Sequence, residues 1–436
     1  MFATQKNRIK GLTKEEYNQL QSLCRYAKNL YNVALYNIRQ HYFAAGKLLS
    51  YPKNCAQCKA NENFKMLQAG VSQQIIRIAT QSFKSFLSLN RLAKQGKYPI
   101  DKIRIPHYLK KDGYFQLVLS TNAITIKDNY LQLPLSNAFR KENQVTKTYI
   151  PFPSRINATS VREVRINPAH NARFFEVEII YHTKPVIMST QDKKRILGID
   201  PGVDTLAACA STTGHTFLID GRQLKAANQW YNKERARLQS IKDLHNIKGE
   251  TKKQATLAVR RENLITDYLR KVARHIVDFC ITREVGTVVV GVNKEQKQGV
   301  SIGHVNNQNF VQIPFWKLRR ILKNLCEKYG ILYAEVEESY TSKASFLDKD
   351  SLPVYDPQRE NKPQFSGRRI KRSLYRTKEG YIVHADINGA ANIIRKYRLD
   401  VDFSALDKGI LLNPHRVRVL ATPRKKPVVN KSKAAA

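Results

Sequence analysis

Residues 196–205 read Ile-Leu-Gly-Ile-Asp-Pro-Gly-Val-Asp-Thr, and this stretch decides the fold predicted for the second half of the chain. Its first four residues are apolar or small, as a buried strand requires. Asp200 follows them, and Pro201-Gly202 turn the chain toward a second apolar run over residues 206–210. A carboxylate at the end of a central strand is well placed to ligate a divalent metal. An aspartate in Asp-Pro-Gly also commonly hydrogen-bonds only its own backbone, so this stretch alone leaves both interpretations open.

The chain is strongly basic. Its 436 residues contain 75 Lys and Arg against 35 Asp and Glu, which gives a formal net charge of +40. A charge of this size repels itself unless a polyanion neutralises it, and the basic residues occur along the whole chain. We therefore expect a nucleic-acid path that runs through several domains. The length is sufficient for roughly two to four domains with a substantial core.

No segment of the sequence predicts a membrane span or a zinc framework. Apolar runs stay short of the roughly 18 residues that a span needs, and residues 1–10 lack the apolar core of a signal peptide. We therefore expect a cytoplasmic protein with no membrane partner. Cys55 and Cys58 form a single Cys-x-x-Cys, whereas a tetrahedral zinc site needs four ligands. The remaining cysteines lie singly in apolar contexts, which is typical of core thiols.

The first half of the chain predicts a helical module and a set of short strands. Thr13 to Glu16 form a capping box that opens a long amphipathic helix. A polar loop around residues 52–63 precedes a second helix over residues 72–95. From Ile103 to Tyr181 the apolar period changes to two, which indicates several short strands in a small barrel or sheet. The predicted domains are a helical module over 13–99 and a β-barrel over 1–12 and 100–190.

The second half predicts an α/β domain over residues 191–412, because strands and helices alternate. Residues 224–284 indicate two long helices joined near Lys248-Gly249, inserted between strands. A buried strand over 285–292 is followed by a helix over 315–329. A further strand over 331–338 ends in two glutamates. From Asn413 to Ala436 the composition is rich in Pro and Lys, which predicts a basic disordered tail.

A second acidic motif lies near the C-terminus. It reads Asp-Ile-Asn-Gly-Ala-Ala-Asn-Ile over residues 386–393 and is entered from Tyr381 to His384. Asp386 is expected where a short strand gives way to a helix, whose small residues allow close packing on a sheet. Aspartate is also a common helix N-cap, and capping is compatible with metal ligation.

The two acidic motifs, Gly198 to Gly202 and Asp386 to Ile393, in this order resemble the split RuvC-like nuclease of the TnpB family. Members of that family are transposon-encoded, RNA-guided DNA endonucleases, formerly described as OrfB transposases and related to type V CRISPR effectors. Arg25 to Asn32 resembles the first recognition helix, and Lys97 to Phe115 the lead into the wedge barrel. Glu338 to Lys343 resembles the segment before the third nuclease motif.

The resemblance implies an α+β multidomain chain. An N-terminal helical recognition module and a small β-barrel (the wedge) would precede an RNase H-like α/β RuvC nuclease domain with a helical insertion. It implies a magnesium-dependent endonuclease that cleaves target DNA next to a short adjacent motif. The implied partners are a guide RNA derived from the transposon end and target double-stranded DNA. The implied setting is a nucleoid-associated prokaryotic protein that serves DNA recombination.

The chain departs from the family at the second nuclease motif, where Gly291 stands in place of the usual catalytic glutamate. Glu337 and Glu338 end the next strand and are the candidate substitutes. On an extended strand they point to opposite faces, so the sequence leaves the choice open. Glu295 is a weaker substitute. The implied ligands of two Mg²⁺ ions are Asp200, Asp386 and one of these glutamates, with Asp200 bridging both metals.

Gly291 also supports an alternative function, an RNA-guided DNA-binding repressor that has lost cleavage. A guide-free transposase or resolvase is a third possibility, because the RNase H fold serves those reactions too.

The second departure concerns zinc. Many relatives carry a four-cysteine knuckle before the last aspartate, but residues 341–386 contain no cysteine. We expect a zinc-free loop region over 341–380. Basic residues within it and on the first helix are candidates for nucleic-acid contacts: Arg368, Arg369, Lys371, Arg372, Arg25 and Lys28.

Overall fold

The computed structural model describes residues 1–186, 191–293, 313–356, 358 and 363–419. The candidate glutamate at 295 and the last part of the predicted tail, 420–436, lie outside the described residues. The chain divides into two compact units, Met1–Lys184 and Pro185–Ala436. Among the helices described, none is long and apolar enough to cross a membrane.

The first unit, as far as the structure describes it, combines five α-helices with short strands. In chain order its elements are β1 (Phe2–Arg8), α1 (Lys14–Ala45), α2 (Tyr51–Cys58), α3 (Glu62–Met66), α4 (Ala69–Lys94), β2 (Leu117–Ser120), β3 (Thr125–Lys127), β4 (Tyr130–Gln132), α5 (Asn137–Asn143), β5 (Tyr149–Pro151), β6 (Val161–Ala169) and β7 (Phe174–His182). The capping box that opens α1 is confirmed, because Thr13 Oγ1 accepts from Glu16 N (3.1 Å) and the Glu16 carboxylate accepts from Thr13 N (2.9 Å). The prediction of a polar loop around 52–63 is wrong, because these residues form α2 and α3. Pro52 does not prevent α2, since it lies in the first turn of that helix, where proline is tolerated.

The strands of the first unit form two antiparallel sheets. One has the order β1-β7-β6-β2, and the other has the order β3-β4-β5. Among the described residues no ladder closes either sheet into a ring, so the predicted small barrel takes the form of two open sheets. One hydrophobic core joins α1, α4 and strands of both sheets.

The second unit is built on one mixed sheet. Its elements are β8 (Asp192–Asp200), β9 (Thr205–Ser211), β10 (Thr216–Asp220), α6 (Arg222–Leu244), α7 (Lys252–Thr282), β11 (Val285–Val292), α8 (Phe315–Lys328), β12 (Leu332–Glu337), β13 (Arg368–Lys371), β14 (Leu374–Arg376), β15 (Ile382–His384), α9 (Ala385–Tyr397), α10 (Lys408–Leu412) and β16 (His415–Val417). The strand predicted over 285–292 and the two helices predicted to meet near Lys248-Gly249 are confirmed.

The strand order of this sheet is β12-β11-β8-β9-β10-β16. β8, β11 and β12 run parallel, β9 is antiparallel to both of its neighbours, and β16 is parallel to β10. Because strands of like direction end at the same edge, the carboxyl ends of β8, β11 and β12 meet there.

Helices cover both faces of the sheet. Leu197, Ile199 and alternate residues of β11 pack with α7 and α8. Ile196 and Val289 point to the opposite face and pack with Ile393 and Ile394 of α9. The approach of α9 to β8 is very close, since a Cβ atom on Gly198 would lie 2.5 Å from Ile394 Cγ1. Ala390, a small residue of the second acidic motif, lies at this contact, because the same Cβ atom would lie even closer to its carbonyl oxygen.

The boundary predicted for the disordered tail is wrong. Residues 415–417, placed in the tail by composition, form β16 and extend the sheet beside β10. The reason is packing: Val417 and Val419 are partly buried against the core shared with α7. The surrounding Pro and Lys residues led to the prediction of a disordered tail, although Val417 and Val419 alternate with arginines.

Candidate active site

Two carboxylates meet at the edge where the parallel strands end. β8 ends at Asp200 and β12 ends at Glu337, one residue before Glu338. Asp200 lies on the same face as Ile196 and Gly198, which is the face covered by α9. The Glu338 amide donates to the Val292 carbonyl at the end of β11 (3.3 Å), so Glu338 is held beside the central strands.

The space beside Gly291 is filled by Glu338. A Cβ atom at Gly291 would lie 2.6 Å from Ile393 Cδ1 and 3.3 Å from Glu338 Oε2. The Glu338 carboxylate therefore lies over the glycine. A side chain at 291 would collide with Ile393, which explains why glycine fits this position.

Glu337 has a different environment. Its carboxylate accepts from Lys396 Nζ (2.7 Å) and from the Ser339 amide (2.6 Å). Burial raises the pKa of Glu337, but these hydrogen bonds outweigh burial and lower the pKa below its usual value. Glu337 is already neutralised by the side chain of Lys396, only 8% of which is exposed. The structure brings Glu338, and not Glu337, to Asp200.

The third carboxylate comes from the first turn of α9. The helix is capped by His384, whose Nδ1 accepts from the Asp386 amide (3.3 Å), so the alternative that Asp386 itself is the N-cap is wrong. The Asp386 carboxylate lies 3.6 Å from the Arg369 guanidinium. One turn further, a Cβ atom on Gly389 would lie 2.5 Å from Asp200 Oδ2, so α9 rests directly on the Asp200 carboxylate.

The three carboxylates repel one another electrostatically. Burial raises the pKa of Asp200 well above its usual value, and the charges of Glu338 and Asp386 raise it further, while Arg369 opposes them. Burial, followed by the charge of Glu337, raises the pKa of Glu338 to about 7. Such a site favours a bound cation, because the cation offsets the free-energy cost of ionising the Asp200 and Glu338 carboxyl groups.

Asp200 and Asp386 line a cleft of about 690 Å³, whereas Glu338 lies outside its lining. Basic residues from several elements share its lining with Asp200, Asp204, Asp386 and His384: Arg222 and Lys225 of α6, Arg369, Arg372 and Arg416. Asp204 pairs with Lys225 (3.2 Å) and with Arg372. The cleft thus combines an acidic floor with a cationic rim, as a phosphodiester and a divalent metal together require.

The predicted nucleic-acid contacts fall into three groups. Arg369 and Arg372 line the cleft, whereas Arg368 and Lys371 are exposed residues of β13 outside its lining. In the first unit, Arg25 donates to Tyr114 Oη (2.7 Å) and stacks on its ring. Lys28 is only 5% exposed and donates to the Lys111 carbonyl (2.9 Å), so its ammonium already has a structural partner.

The sequence interpretation missed several residues of the cleft. Arg222 and Lys225 belong to the first turns of α6, and Arg416 lies in the segment predicted to be disordered. His384 was noted only as part of the entry to the second motif. Its position two residues before Asp386 was the one available signal, since a side chain there can cap the helix.

The region predicted to replace a zinc knuckle is held by hydrogen bonds. The Asp348 carboxylate accepts from Ser366 Oγ (3.0 Å) and the Lys378 amide (2.9 Å). The Asp350 carboxylate accepts from the Ser345 amide (2.8 Å). These contacts connect the segment after β12 with the residues before β13 and with the β14–β15 turn.

The donor set suits magnesium better than a soft metal. Its side chains are carboxylates, and the described residues contain no cluster of three or more His, Cys, Asp or Glu tight enough to enclose an ion. Magnesium usually keeps several waters and takes only one or two carboxylates plus substrate phosphates, so an open acidic edge fits it. Asp200, Glu338 and Asp386 are among the candidate ligands that the sequence predicts for it.

Comparison with known proteins gives two family models and relatives that extend over most of the chain. The model OrfB_IS605, described as a probable transposase, matches residues 178–297, and the model of the Cas12f1-like TNB domain matches residues 315–393. TnpB-like protein ORF457 of Acidianus two-tailed virus is 21% identical over 405 residues, which cover 87% of this chain and 83% of that protein. The cryo-EM structure of a Cas12f1–sgRNA–target DNA complex matches with a TM-score of 0.58 at 15% identity, over 87% of this chain and 83% of that chain.

The chain therefore has a mixed α/β multidomain fold that resembles the Cas12f1 chain of that complex. The two family models together with the viral relative are more specific. Both kinds of match support the TnpB family.

Proposed function

We propose that this protein is an RNA-guided, magnesium-dependent DNA endonuclease of a transposon, which cleaves its target next to a short adjacent motif. The observation that carries the proposal is the position of Glu338. Its carboxylate lies over Gly291, at the edge where Asp200 ends β8 and beside the helix that carries Asp386. The family matches and the likeness to a Cas12f1 complex with RNA and DNA support the same activity.

In this proposal Asp200, Glu338 and Asp386 would hold two magnesium ions. When bound, the metal supplies an activated water and stabilises the leaving oxygen of the phosphodiester. Burial raises the pKa of Glu338 to about 7, and its carboxylate would have to be ionised to serve as a ligand. Arg369 lies 3.6 Å from Asp386 and would be available to a substrate phosphate once a cation neutralised that carboxylate.

The basic surface supports nucleic-acid partners. A net charge of +40 suits a complex with a structured guide RNA derived from the transposon end, and a positively charged cleft suits a DNA strand. Base pairing with the guide would read the target sequence, while the protein would read duplex shape and a short motif.

A second function rests on Gly291. A chain that has lost the usual glutamate can act as an RNA-guided repressor that binds target DNA without cutting it. The position of Glu338 argues against this alternative, since its carboxylate occupies the region that the missing side chain would reach.

The test begins with purification of the protein together with the RNA that it retains, followed by sequencing of that RNA. Copurification of a discrete RNA excludes a guide-free transposase. Plasmids that carry a matching target are then incubated with the complex in Mg²⁺. Asp200→Ala and Glu338→Gln are run beside the matched control Glu337→Gln.

Loss of cleavage in Asp200→Ala and Glu338→Gln, with cleavage retained in Glu337→Gln, is the expected result. Tight guide-dependent binding without cleavage by the wild type would refute the nuclease and leave the repressor. Loss of cleavage in Glu337→Gln alone would refute the assignment of Glu338.

A further inference from the structure

The last strand of the sheet carries an arginine toward the carboxylates. β16 pairs with β10 in parallel register, with Leu218 beside Arg416 and Ile219 beside Val417. Leu218 packs in the core on the α9 face, whereas Ile219 and Val417 belong to the core on the opposite face. Because paired residues in register share a face, Arg416 lies on the face of α9.

The position of Arg416 in the cleft agrees with this register. Arg416 lines the same cleft as Asp200 and Asp386. His384, the cap of α9, lines the same cleft. The guanidinium is therefore close to the N-terminal end of α9, where the acidic residues meet.

Arg416 differs from the other cations of the cleft in its partners. Lys225 and Arg372 pair with Asp204, Arg222 pairs with Asp220, and Arg369 pairs with Asp386. Within the described ranges, no carboxylate pairs with the guanidinium of Arg416. An exposed arginine in this state can bind a phosphate bidentately without first breaking an ion pair.

We propose that Arg416 binds a phosphate of the DNA strand that enters the cleft and so positions that strand against Asp200, Glu338 and Asp386. The inference rests on the proposed nuclease function and adds a substrate-binding residue to it. The ligand is a DNA phosphodiester, because basic side chains share the lining of this cleft with Asp200 and Asp386.

The experiment compares four ribonucleoproteins: wild type, Arg416→Gln, Arg416→Lys and Arg398→Gln. Arg398 is the matched control, because it is an exposed arginine at the far end of α9. The substrates are guide-matched duplexes in which one phosphate near the cut site at a time is replaced by an uncharged methylphosphonate. Single-turnover cleavage is measured in Mg²⁺, and binding of the same duplexes is measured in EDTA.

We expect Arg416→Gln to slow cleavage roughly 10-fold, with partial recovery in Arg416→Lys and no change in Arg398→Gln. At one phosphate position the methylphosphonate should slow the wild type but leave Arg416→Gln unaffected. Equal rates in wild type and Arg416→Gln would overturn the inference. The inference would also be overturned if the ratio of wild-type to Arg416→Gln cleavage rates were the same at every methylphosphonate position. That result would indicate a structural role for Arg416.

The design separates this inference from the proposed function. If the wild type binds matched DNA without cutting it, the nuclease proposal fails, and the same comparison is read from binding in EDTA. A wild type that binds no guide-matched DNA refutes both. A normal wild type with an unchanged Arg416→Gln refutes the inference alone.

Discussion

Substitution of Glu338 by glutamine should stabilise the protein when no metal is bound. Burial raises the pKa of Glu338 from 4.5 to about 7 in the folded protein, so its ionised form opposes folding. The sign follows from proton linkage. Between pH 4.5 and pH 7 the folded state binds more protons at this site than the unfolded state, and stability therefore falls as pH rises. Above pH 7 the whole penalty is present.

The magnitude follows from the same shift. One pKa unit corresponds to about 1.4 kcal/mol, so the penalty at pH 8 is about 3 kcal/mol, and it disappears near pH 4. Glu338→Gln removes the ionisable group at nearly constant volume. For a unit of this size the gain corresponds to roughly 6–12 °C in the unfolding midpoint.

The assay is thermal unfolding in EDTA at pH 8 and at pH 4.5, with Glu337→Gln as the control. Glu337 forms an ion pair with the largely buried Lys396, so its loss should destabilise the protein at pH 8. Adding Mg²⁺ should raise the midpoint of the wild type more than that of Glu338→Gln, because only the wild type keeps the full ligand set. A lower midpoint for Glu338→Gln at pH 8 in EDTA would refute the reasoning. So would a shift of the same sign in both glutamate variants.

Three further predictions concern other parts of the second unit and the thiols. Gly389→Ala should reduce DNA cleavage at least about 10-fold, because the added Cβ would lie 2.5 Å from Asp200 Oδ2. Circular dichroism checks that the variant keeps its fold. Unchanged cleavage by the folded variant would contradict the close contact between Gly389 and Asp200. Asp348→Asn should destabilise the protein by about 1–2 kcal/mol at pH 7, since the carboxylate accepts two hydrogen bonds. Hydrogen bonds lower the pKa of Asp348 despite burial, so this loss should shrink as pH falls below about 4, and an effect independent of pH in urea titrations would count against it. Of the six cysteines only Cys55 is not buried, so an aromatic disulfide reagent at pH 8 should titrate one thiol in the native protein and six in urea.

Much of the second unit could be predicted from sequence because its signals are local. The apolar run before Asp200, the buried strand over 285–292 and the small residues after Asp386 each fix an element without reference to distant residues. The strands therefore lie close to their predicted bounds. The order of the two acidic motifs along the chain was sufficient to indicate the resemblance to the TnpB family.

The choice between Glu337 and Glu338 depended on information that the sequence lacks. Alternation on a strand says that the two side chains diverge, but not which face α9 covers. That face is set by the packing of Ile393 and Ile394, and the partner of Glu337 is Lys396, which lies 59 residues away. Charge patterns around a single residue do not reveal such a pair.

The C-terminal strand was missed for a different reason. Residues 415–417 are too few to show a period, and the composition around them resembles a tail. They are a strand because β10 offers an unpaired edge and the core accepts Val417. Tertiary context, rather than local propensity, decides such short edge strands.

The order of the strands along the chain has a consequence for synthesis. The three carboxylates are contributed by residues 200, 338 and 386, and the edge strand that completes the cleft comes still later. During translation, N-terminal parts of a chain fold first, so the first unit can be complete while the acidic edge still lacks two of its members. On the proposed function, a partly made polypeptide would have its basic first unit before it has all three carboxylates. Vectorial synthesis would then delay DNA cleavage until residue 386 and the strand after it have been made.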